Sequence, residues 1–542
     1  MSVGDTLILT DKGLVKMDDL INEKIDANNK DRTIDDNQST LLGSLSEYID
    51  DKDDIYRDNI KNIKNVITLS SKIKDGYMSY NISDKYDIGN SDVIIIRTNI
   101  GIEMAGIAEH GIVIINKDGN LAFKKLGCIT KEDYIAISYN TNIFNDMLRL
   151  NFVQSRSYDR YDVQQLKNIG YMNEDIARLL GYVISEGNCC LNNDEHMSMT
   201  ITNYDGEMID DIHKICKNLD INCGNYYDEN EEKVIGVRIP SINFTEFMYY
   251  LGYRHLSQNK EVPWSILQAD KNSQIAFLRG LFDGDGTVGE KGSGKYIVGY
   301  DSSSYELCRQ LQIMLINMGI IGRLSEKKGT TLKYRGELRT YEKSYGLSIY
   351  GGNIIKFGEI IGFGLTRKQD ILNEIITKLE NTERWTDITI PFIENKLRIL
   401  YDKLILLGKM RCLKIIDKDD TGKEKIRYVA AKYYLKYHHC RLYEYTRAIK
   451  SVDEKWKRQP SNLTLKKFLG ILSPVKNSDL YKDDKIVHNT FSYLDSISDL
   501  FIFDKVEEIN KGRKKVYATT IDSVHSYIGN GLINHDMNIV KN

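Results

Sequence analysis

Two periods of hydrophobic spacing run through the chain. In residues 207–221 (EMIDDIHKICKNLDI) and 306–320 (ELCRQLQIMLINMGI), apolar side chains return every three or four positions, which predicts amphipathic helices. In 233–241 (KVIGVRIPS) and 343–351 (KSYGLSIYG), apolar and polar positions alternate, which predicts half-buried strands. LTLKKFLGIL (463–472) and HNTFSYLDSISDLF (488–501) read as helices, and 397–416 is strongly apolar with basic residues on its edge. Both ends of the chain read as β-rich.

The helices and strands in the middle occur twice. LLGYVISEG (179–187) and LRGLFDGDG (278–286) lie 99 residues apart, and the register continues as Glu207 with Glu306, Ile212 with Leu311 and Ile221 with Ile320. Farther on the offset becomes 110, pairing Ile239 with Ile349, Asn243 with Asn353 and Gly252 with Gly362, as if the second copy held a loop 11 residues longer. One unit reads helix, strands, helix, strands, helix. The first copy is expected over 165–265 and the second over 266–380.

The repeated peptide has a steric and an electrostatic logic. Gly181 and Ser185, and Gly280 and Gly284, are small residues four apart, so each pair shares a helix face and lets another backbone approach. Each helix then ends in an acid and a glycine, Glu186–Gly187 and Asp285–Gly286, the glycine serving as a helix stop. A carboxylate there faces the negative end of the helix dipole, and two side by side repel. A shared divalent cation relieves both costs, so Glu186 and Asp285 are predicted to form a metal site. Either peptide alone would fit an ordinary capped core helix; their recurrence in register argues otherwise.

These motifs, with KEVPWSI leading into the second, resemble the LAGLIDADG homing endonucleases of the dodecapeptide (DOD) type, in their single-chain form with two motifs. The resemblance implies a pseudo-symmetric pair of αββαββα units whose sheets saddle the DNA major groove over a long, weakly palindromic site. It implies Mg²⁺, two or more ions, bound by the motif acids Glu186 and Asp285. Lysines near the active site shape the transition state in that family, and Lys233 and Lys343, in register at offset 110, are the candidates. Glu186 stands where Asp is commoner, a change the family tolerates. Two motifs in one chain imply a monomer.

MSVGDTLIL at the start, GIEMAGIAEHGIVI (101–114) and VYATTIDSVHSYIGNGLINHD (516–536) resemble intein splicing blocks. That likeness implies an all-β Hint horseshoe, split into residues 1–145 and 498–536 and interrupted by the endonuclease, with a tail at 537–542. The splicing positions are Met1, His110, His525, His535 and Asp536. Met1 has no nucleophilic proton, and Asp536 lacks the amide nitrogen with which Asn cyclises. The threonine of the family's TxxH is Ile107, the usual Asp after VY is Ala518, and Met537 stands where Cys, Ser or Thr is needed. Host protein flanking such a module would be a covalent partner.

Charge adds a further element. Residues 18–58 hold 13 Asp/Glu against 5 Lys/Arg, a net of −8, and read as a surface insertion over about 18–62. Residues 384–467 hold 21 Lys/Arg against 10 Asp/Glu, a net of +11, with seven tyrosines interleaved. Within 384–495 we expect a helical DNA-binding subdomain whose phosphate contacts are Lys432, Lys436, Arg441, Arg447, Lys450, Lys455, Lys457 and Arg458; a solvated helical face is the plainer alternative. His438, His439 and Cys440 have no second ligand pair at zinc spacing.

The whole chain, 542 residues with 41 % hydrophobic and 28 % charged side chains and five prolines, is neither disordered nor collagen-like. No run reaches the roughly 18 apolar residues of a membrane span, the first residues lack signal-peptide order, and eight irregularly spaced cysteines form no disulfide framework. The expected setting is therefore intracellular and reducing, cytoplasmic or nuclear (nucleoid), not secreted. The expected fold class is a multidomain α+β protein: an all-β horseshoe, the two-repeat αββαββα unit, and the helical basic insertion. The function expected is site-specific duplex DNA cleavage on a Hint scaffold with impaired splicing. The alternatives are a splicing-active intein with an altered first residue and a nuclease-inactive nucleic-acid binder.

Overall fold

A computed structural model of the protein describes residues 1–21, 63–155, 163–191, 197–228, 233–254, 256–292, 294–334, 337–341, 343–380, 389–407, 413–418, 424–429, 462–477 and 481–536. Most of the acidic segment, all eight proposed phosphate contacts between Lys432 and Arg458, the His438–Cys440 run and Met537 lie outside the described residues.

Ahead of the repeat come strands Ser2–Val3 (β1), Leu7–Thr10 (β2), Gly13–Lys16 (β3), Asn65–Leu69 (β4), Tyr77–Thr98 (β5), Glu103–Gly106 (β6), Gly111–Ile115 (β7), Leu121–Lys125 (β8) and Tyr134–Ser138 (β9), with a short helix, Met17–Ile21 (α1). The first copy runs Glu174–Glu186 (α2), Gly187–Leu191 (β10), Met197–Thr202 (β11), Gly206–Asn218 (α3), Gly224–Tyr227 (β12), Val234–Ile239 (β13) and Ile242–Leu251 (α4). After a short helix Trp264–Leu267 (α5), the second runs Lys271–Asp285 (α6), Gly286–Glu290 (β14), Tyr296–Ser302 (β15), Tyr305–Asn317 (α7), Gly322–Lys327 (β16), the hairpin Thr330–Tyr334 (β17) and Glu337–Tyr341 (β18), Ser344–Ile349 (β19) and Gly352–Ile360 (α8). Then come Thr366–Glu380 (α9), Glu394–Leu407 (α10), Leu413–Lys418 (β20), Glu424–Val429 (β21), Asn462–Asn477 (α11), Lys485–Leu500 (α12), Phe501–Ile521 (β22), Ser526–Gly529 (β23) and Leu532–His535 (β24).

The sequence offsets reappear as sheet register. The two repeat sheets have the same order, β10-β11-β13-β12 and β14-β15-β19-β16. Gly187 pairs with Ile201 and Gly286 with Tyr300, both at offset 99. Val237 pairs with Ile201 and Leu347 with Tyr300, so the last strands stand at offset 110. The extra residues fall in the β17–β18 hairpin, which among the described residues pairs only with itself and leaves the sheet register intact. Leu179, Leu180, Val183 and Ile184 of α2, and Phe277, Leu278, Leu281 and Phe282 of α6, are all buried in one continuous core.

Strands from both ends of the chain join in one 12-stranded sheet. β22 pairs with β5 from Val506↔Thr98 to Ile521↔Ile82, and β1 lies between β22 and β6 (Ser2↔Tyr517, Ser2↔Gly106). This sheet is fastened to the second repeat through Arg309 of α7. Its guanidinium donates to Asp5 O at 2.7 Å, to Asn530 Oδ1 at 2.9 Å and to Glu306.

One segment differs from expectation. The basic stretch is not wholly helical: β20 and β21 pair as a hairpin, Leu413 opposite Val429. The adjacent Ile415 and Ile416 are β-branched and favour a strand after α10 ends. Among the described residues, no helix is long and apolar enough to cross a membrane.

Candidate active site

α2 starts at an Asn173 cap, whose Oδ1 accepts from Ile176 N at 2.9 Å, and α6 at Asp270, whose Oδ1 accepts from Asn272 N at 2.9 Å. The helices cross on their small residues. A Cβ on Gly280 would lie 2.6 Å from the Arg178 carbonyl oxygen; one on Gly181 would overlap the Phe277 carbonyl and sit 2.9 Å from Leu281 N. A Cβ on Gly284 would overlap Ser185 Oγ and come within 3.3 Å of Glu186 Cγ. All four small residues therefore line the contact, which leads Glu186 and Asp285 to the same place.

The glycines after the acids work differently from a left-handed helix stop. Gly187 (φ −79°, ψ 140°) and Gly286 (φ −72°, ψ 149°) are extended, and each helix runs straight into a strand. Glycine is needed because a Cβ would press on Val183 or Phe282 of the preceding turn, 2.8 Å from the Cα in both cases.

The acids are close enough to feel one another. Water reaches Asp285, yet the protein around it displaces enough solvent that desolvation, and then the Glu186 charge, push its carboxyl up to about 6. Desolvation also raises the half-buried Glu186, against the hydrogen bond from Asn203 Nδ2 at 2.9 Å. Two lysines temper this repulsion. Lys260 Nζ lies 3.5 Å from Ser185 O. The buried Lys368 Nζ donates to Asp283 O at 2.6 Å, Gly286 O at 2.7 Å, Phe282 O at 3.0 Å and Gly284 O at 3.2 Å. Ser185 and Gly284 are equivalent at offset 99, so each motif helix ends against one ammonium, which offsets its dipole. Burial lowers both lysines; Asp285 and Glu186 oppose it at Lys260, and Asp283, followed by Asp285 and Glu186, at Lys368.

Lys233 and Lys343, chosen from the repeat register, stand elsewhere. Lys343 is exposed and pairs with Glu326 at 2.9 Å, and Lys233 lies over the Tyr204 ring, 4.9 Å from its centroid. The cations acting on the acid pair are Lys260 and Lys368. A Lys368→Met protein is expected to keep Asp285 protonated to a higher pH than the unaltered chain, because Asp285 loses a cation that favours its ionised form. An unchanged Asp285 titration, followed by NMR, would count against this role.

Arg178 locks the crossing beside the acids. It donates to Asp211 Oδ2 at 2.5 Å, Tyr182 Oη at 2.7 Å and the fully buried Asp283 at 3.0 Å. Asp283 also accepts from Gly364 N at 2.8 Å, which fastens the segment leading into α9 and Lys368.

A second polar cluster forms where the chain ends meet. The buried His110 Nε2 lies 2.8 Å from Asn534 Oδ1, and its Nδ1 2.7 Å from the Met1 amine. Burial keeps His110 well below its usual range, against the hydrogen bond with Asn534. Asp536, also buried, accepts from Ile521 N at 2.5 Å and lies 3.3 Å from His525 Nδ1. His535 Nδ1 contacts Asp536 O. All five suspected splicing positions thus converge. Asn534, which the sequence reading left out, bridges His110 to β24.

Among the described residues, no group of three or more His, Cys, Asp or Glu side chains is placed to hold a metal ion alone. Two carboxylates nevertheless fit Mg²⁺, which commonly takes one or two together with water and phosphate oxygens.

The curated replication factor C small subunit of Methanocaldococcus jannaschii is 26 % identical over 406 residues, covering 73 % of this chain and 19 % of that protein. The chain spans less than half the length of the curated relatives it matches first. A crystal structure of I-DmoI in complex with DNA and Mn is 17 % identical, with 35 % of this chain and 96 % of that one covered and a TM-score of 0.25. A crystal structure of an Ssp DnaB mini-intein variant is 16 % identical, with 25 % and 62 % covered and a TM-score of 0.16. Residues 272–362, from the first turn of α6 to just past α8, match the profile of the LAGLIDADG-like domain. The second of the two repeats is thus the part of the chain that is similar to a LAGLIDADG-like domain.

Proposed function

We propose that the protein is a metal-dependent, site-specific endonuclease of duplex DNA, carried on an intein-type (Hint) scaffold. The observation that carries this reading is the convergence of Glu186 and Asp285 at the crossing of α2 and α6, with Lys260 and Lys368 beside them. Glu186 and Asp285 would hold the cation from two sides of a pseudo-twofold axis, one acid from each repeat. A divalent cation there supplies shielding of the phosphodiester charge and a more acidic bound water. Lys260 and Lys368 keep the carboxylates ionised and add positive charge near the reacting phosphate. Asn203 fixes one Glu186 oxygen and leaves the other for a ligand. The two repeat sheets supply strands for the groove, and the basic stretch supplies phosphate contacts.

A library of randomised duplexes incubated with the protein and Mg²⁺ tests this reading. A small set of related sequences is expected to be cut on both strands. Cutting without sequence preference, or none at all, would contradict it.

The convergence of Met1, His110, Asn534, His535 and Asp536 supports the Hint part of the proposal. With Asp at 536 in place of the Asn that cyclises, and Met at 537 where a thiol or hydroxyl is needed, the closing steps of ordinary splicing lack their nucleophiles. Fusion of reporter domains to both ends is expected to give no ligated product; efficient ligation would overturn the loss of splicing.

A further inference from the structure

A thiol cluster lies on the first repeat, built by the end of α3. Asp220 follows the helix in the left-handed region (φ 56°), and Ile221 N returns to Cys216 O at 2.8 Å. This closure folds the chain back over the last turn, in the manner of a Schellman motif. Cys223 thereby returns to the side of α3 that carries Cys216. His213 and Cys216 are three apart on that helix and share a face.

The contacts form a chain. Cys223 Sγ lies 3.2 Å from His213 Nδ1, and His213 Nε2 lies 2.8 Å from Asn225 Oδ1, at the start of β12. With Nε2–H donated to the Asn225 carbonyl oxygen, Nδ1 faces the thiol and can take its proton. Cys216, one turn along the same helix face from His213, is the thiol nearest in the fold to that Cys223–His213 contact. Cys216 is buried and Cys223 is partly open to solvent. The neighbouring Cys216 thiol, and then the His213 charge, bring Cys223 down to about 6 despite its partial burial; that same pairing, with burial, raises Cys216.

We propose that Cys223 is a peroxide-reactive thiol and Cys216 its resolving partner, so that hydroperoxides convert the pair into a disulfide joining α3 to the segment entering β12. In the first step the Cys223 thiolate attacks one hydroperoxide oxygen. The O–O bond breaks, the leaving alkoxide or hydroxide takes the proton held by His213, and Cys223 becomes a sulfenic acid. In the second step the Cys216 sulfur attacks the Cys223 sulfur. The S–O bond breaks, water leaves with the Cys216 proton, and the disulfide forms. The hydroperoxide is the oxidant, and two thiols lose two electrons to it. An accessible activated thiol beside a buried, unactivated one is the division of labour this chemistry needs. Asn225 is a positioning residue, since it acts through the imidazole.

Peptide mapping of the full chain after equimolar hydrogen peroxide tests the proposal. The expected product is a Cys216–Cys223 disulfide, with the exposed Cys128 left as a thiol. Cys216→Ser is expected to stop at a sulfenic acid on Cys223 that dimedone traps, and Cys223→Ser to give no disulfide. If the buried Cys216 variant fails to fold, the Cys223→Ser variant and alkylation rates decide. At pH 6.5, iodoacetamide is expected to modify Cys223 about tenfold faster than Cys128, and His213→Gln to remove most of that advantage. Peroxide consumption at Cys128 alone, or equal alkylation of Cys223 with and without His213, would overturn the assignment. None of these readouts depends on DNA cleavage.

Discussion

Glu186→Gln and Asp285→Asn are each expected to slow double-strand cleavage by about a thousandfold or more, equal to roughly 4 kcal/mol of transition-state stabilisation. Both substitutions keep side-chain size and remove one negative charge, so DNA binding without cleavage is the expected phenotype. The acids come from different repeats, yet losing either should impair both strands, because both contribute to a shared site. The pH dependence follows from the same pair. Desolvation and Glu186 push Asp285 up to about 6. Below that pH a proton occupies the position a cation needs, so wild-type cleavage should fall as pH drops through about 6 and level off above it. Glu186→Gln removes one cause of the upward shift, so residual cleavage should fall at lower pH than in the wild type. Nearly unaltered cleavage by either variant, measured on an end-labelled duplex, would remove the basis for the proposed mechanism.

The second large effect concerns stability. Gly181→Val is expected to destabilise the protein by about 4 kcal/mol, near the upper end of single-residue effects. A Cβ there overlaps the Phe277 carbonyl and sits 2.9 Å from Leu281 N, and both are backbone atoms of a buried helix. No rotamer relieves that contact, so α2 and α6 must separate. Separation would also pull Arg178 from the fully buried Asp283 and leave its charge without that partner. Gly206→Ala is the control: nothing lies within 4 Å of a Cβ on Gly206 at the start of α3, so its effect should stay within about 0.5 kcal/mol. Denaturant midpoints for the two variants measure the difference. Similar midpoints would mean that the crossing tolerates a side chain and that the small residues do not define it.

The repeat was the most legible part of the fold, because the register that aligns its residues also aligns strand partners. Offsets of 99 and 110 correspond to hydrogen-bonded pairs, and the longer loop to the β17–β18 hairpin. The two acids were readable for a related reason: a charge at a helix C-terminus is costly, and its occurrence twice in register needs an explanation. The lysines were not readable. Lys233 and Lys343 keep the register but point to other partners, whereas Lys260 and Lys368 are 108 apart, out of register, and lie on different local structures. Only tertiary folding brings both to the carbonyls of Ser185 and Gly284. Asn534 escaped notice because its role depends on the sheet that sets β24 beside β7, with Asn534 opposite Ile112. The Cys216–Cys223 contact depends on the left-handed turn at Asp220, which the helical spacing of α3 does not announce.

The most direct test of the central claim is anomalous diffraction from crystals of the protein bound to a selected duplex in Mn²⁺. The account predicts a manganese peak within coordination distance of both the Glu186 and Asp285 carboxylates and of a DNA phosphate oxygen. A well-ordered complex whose only manganese peaks lie away from these two side chains would contradict it.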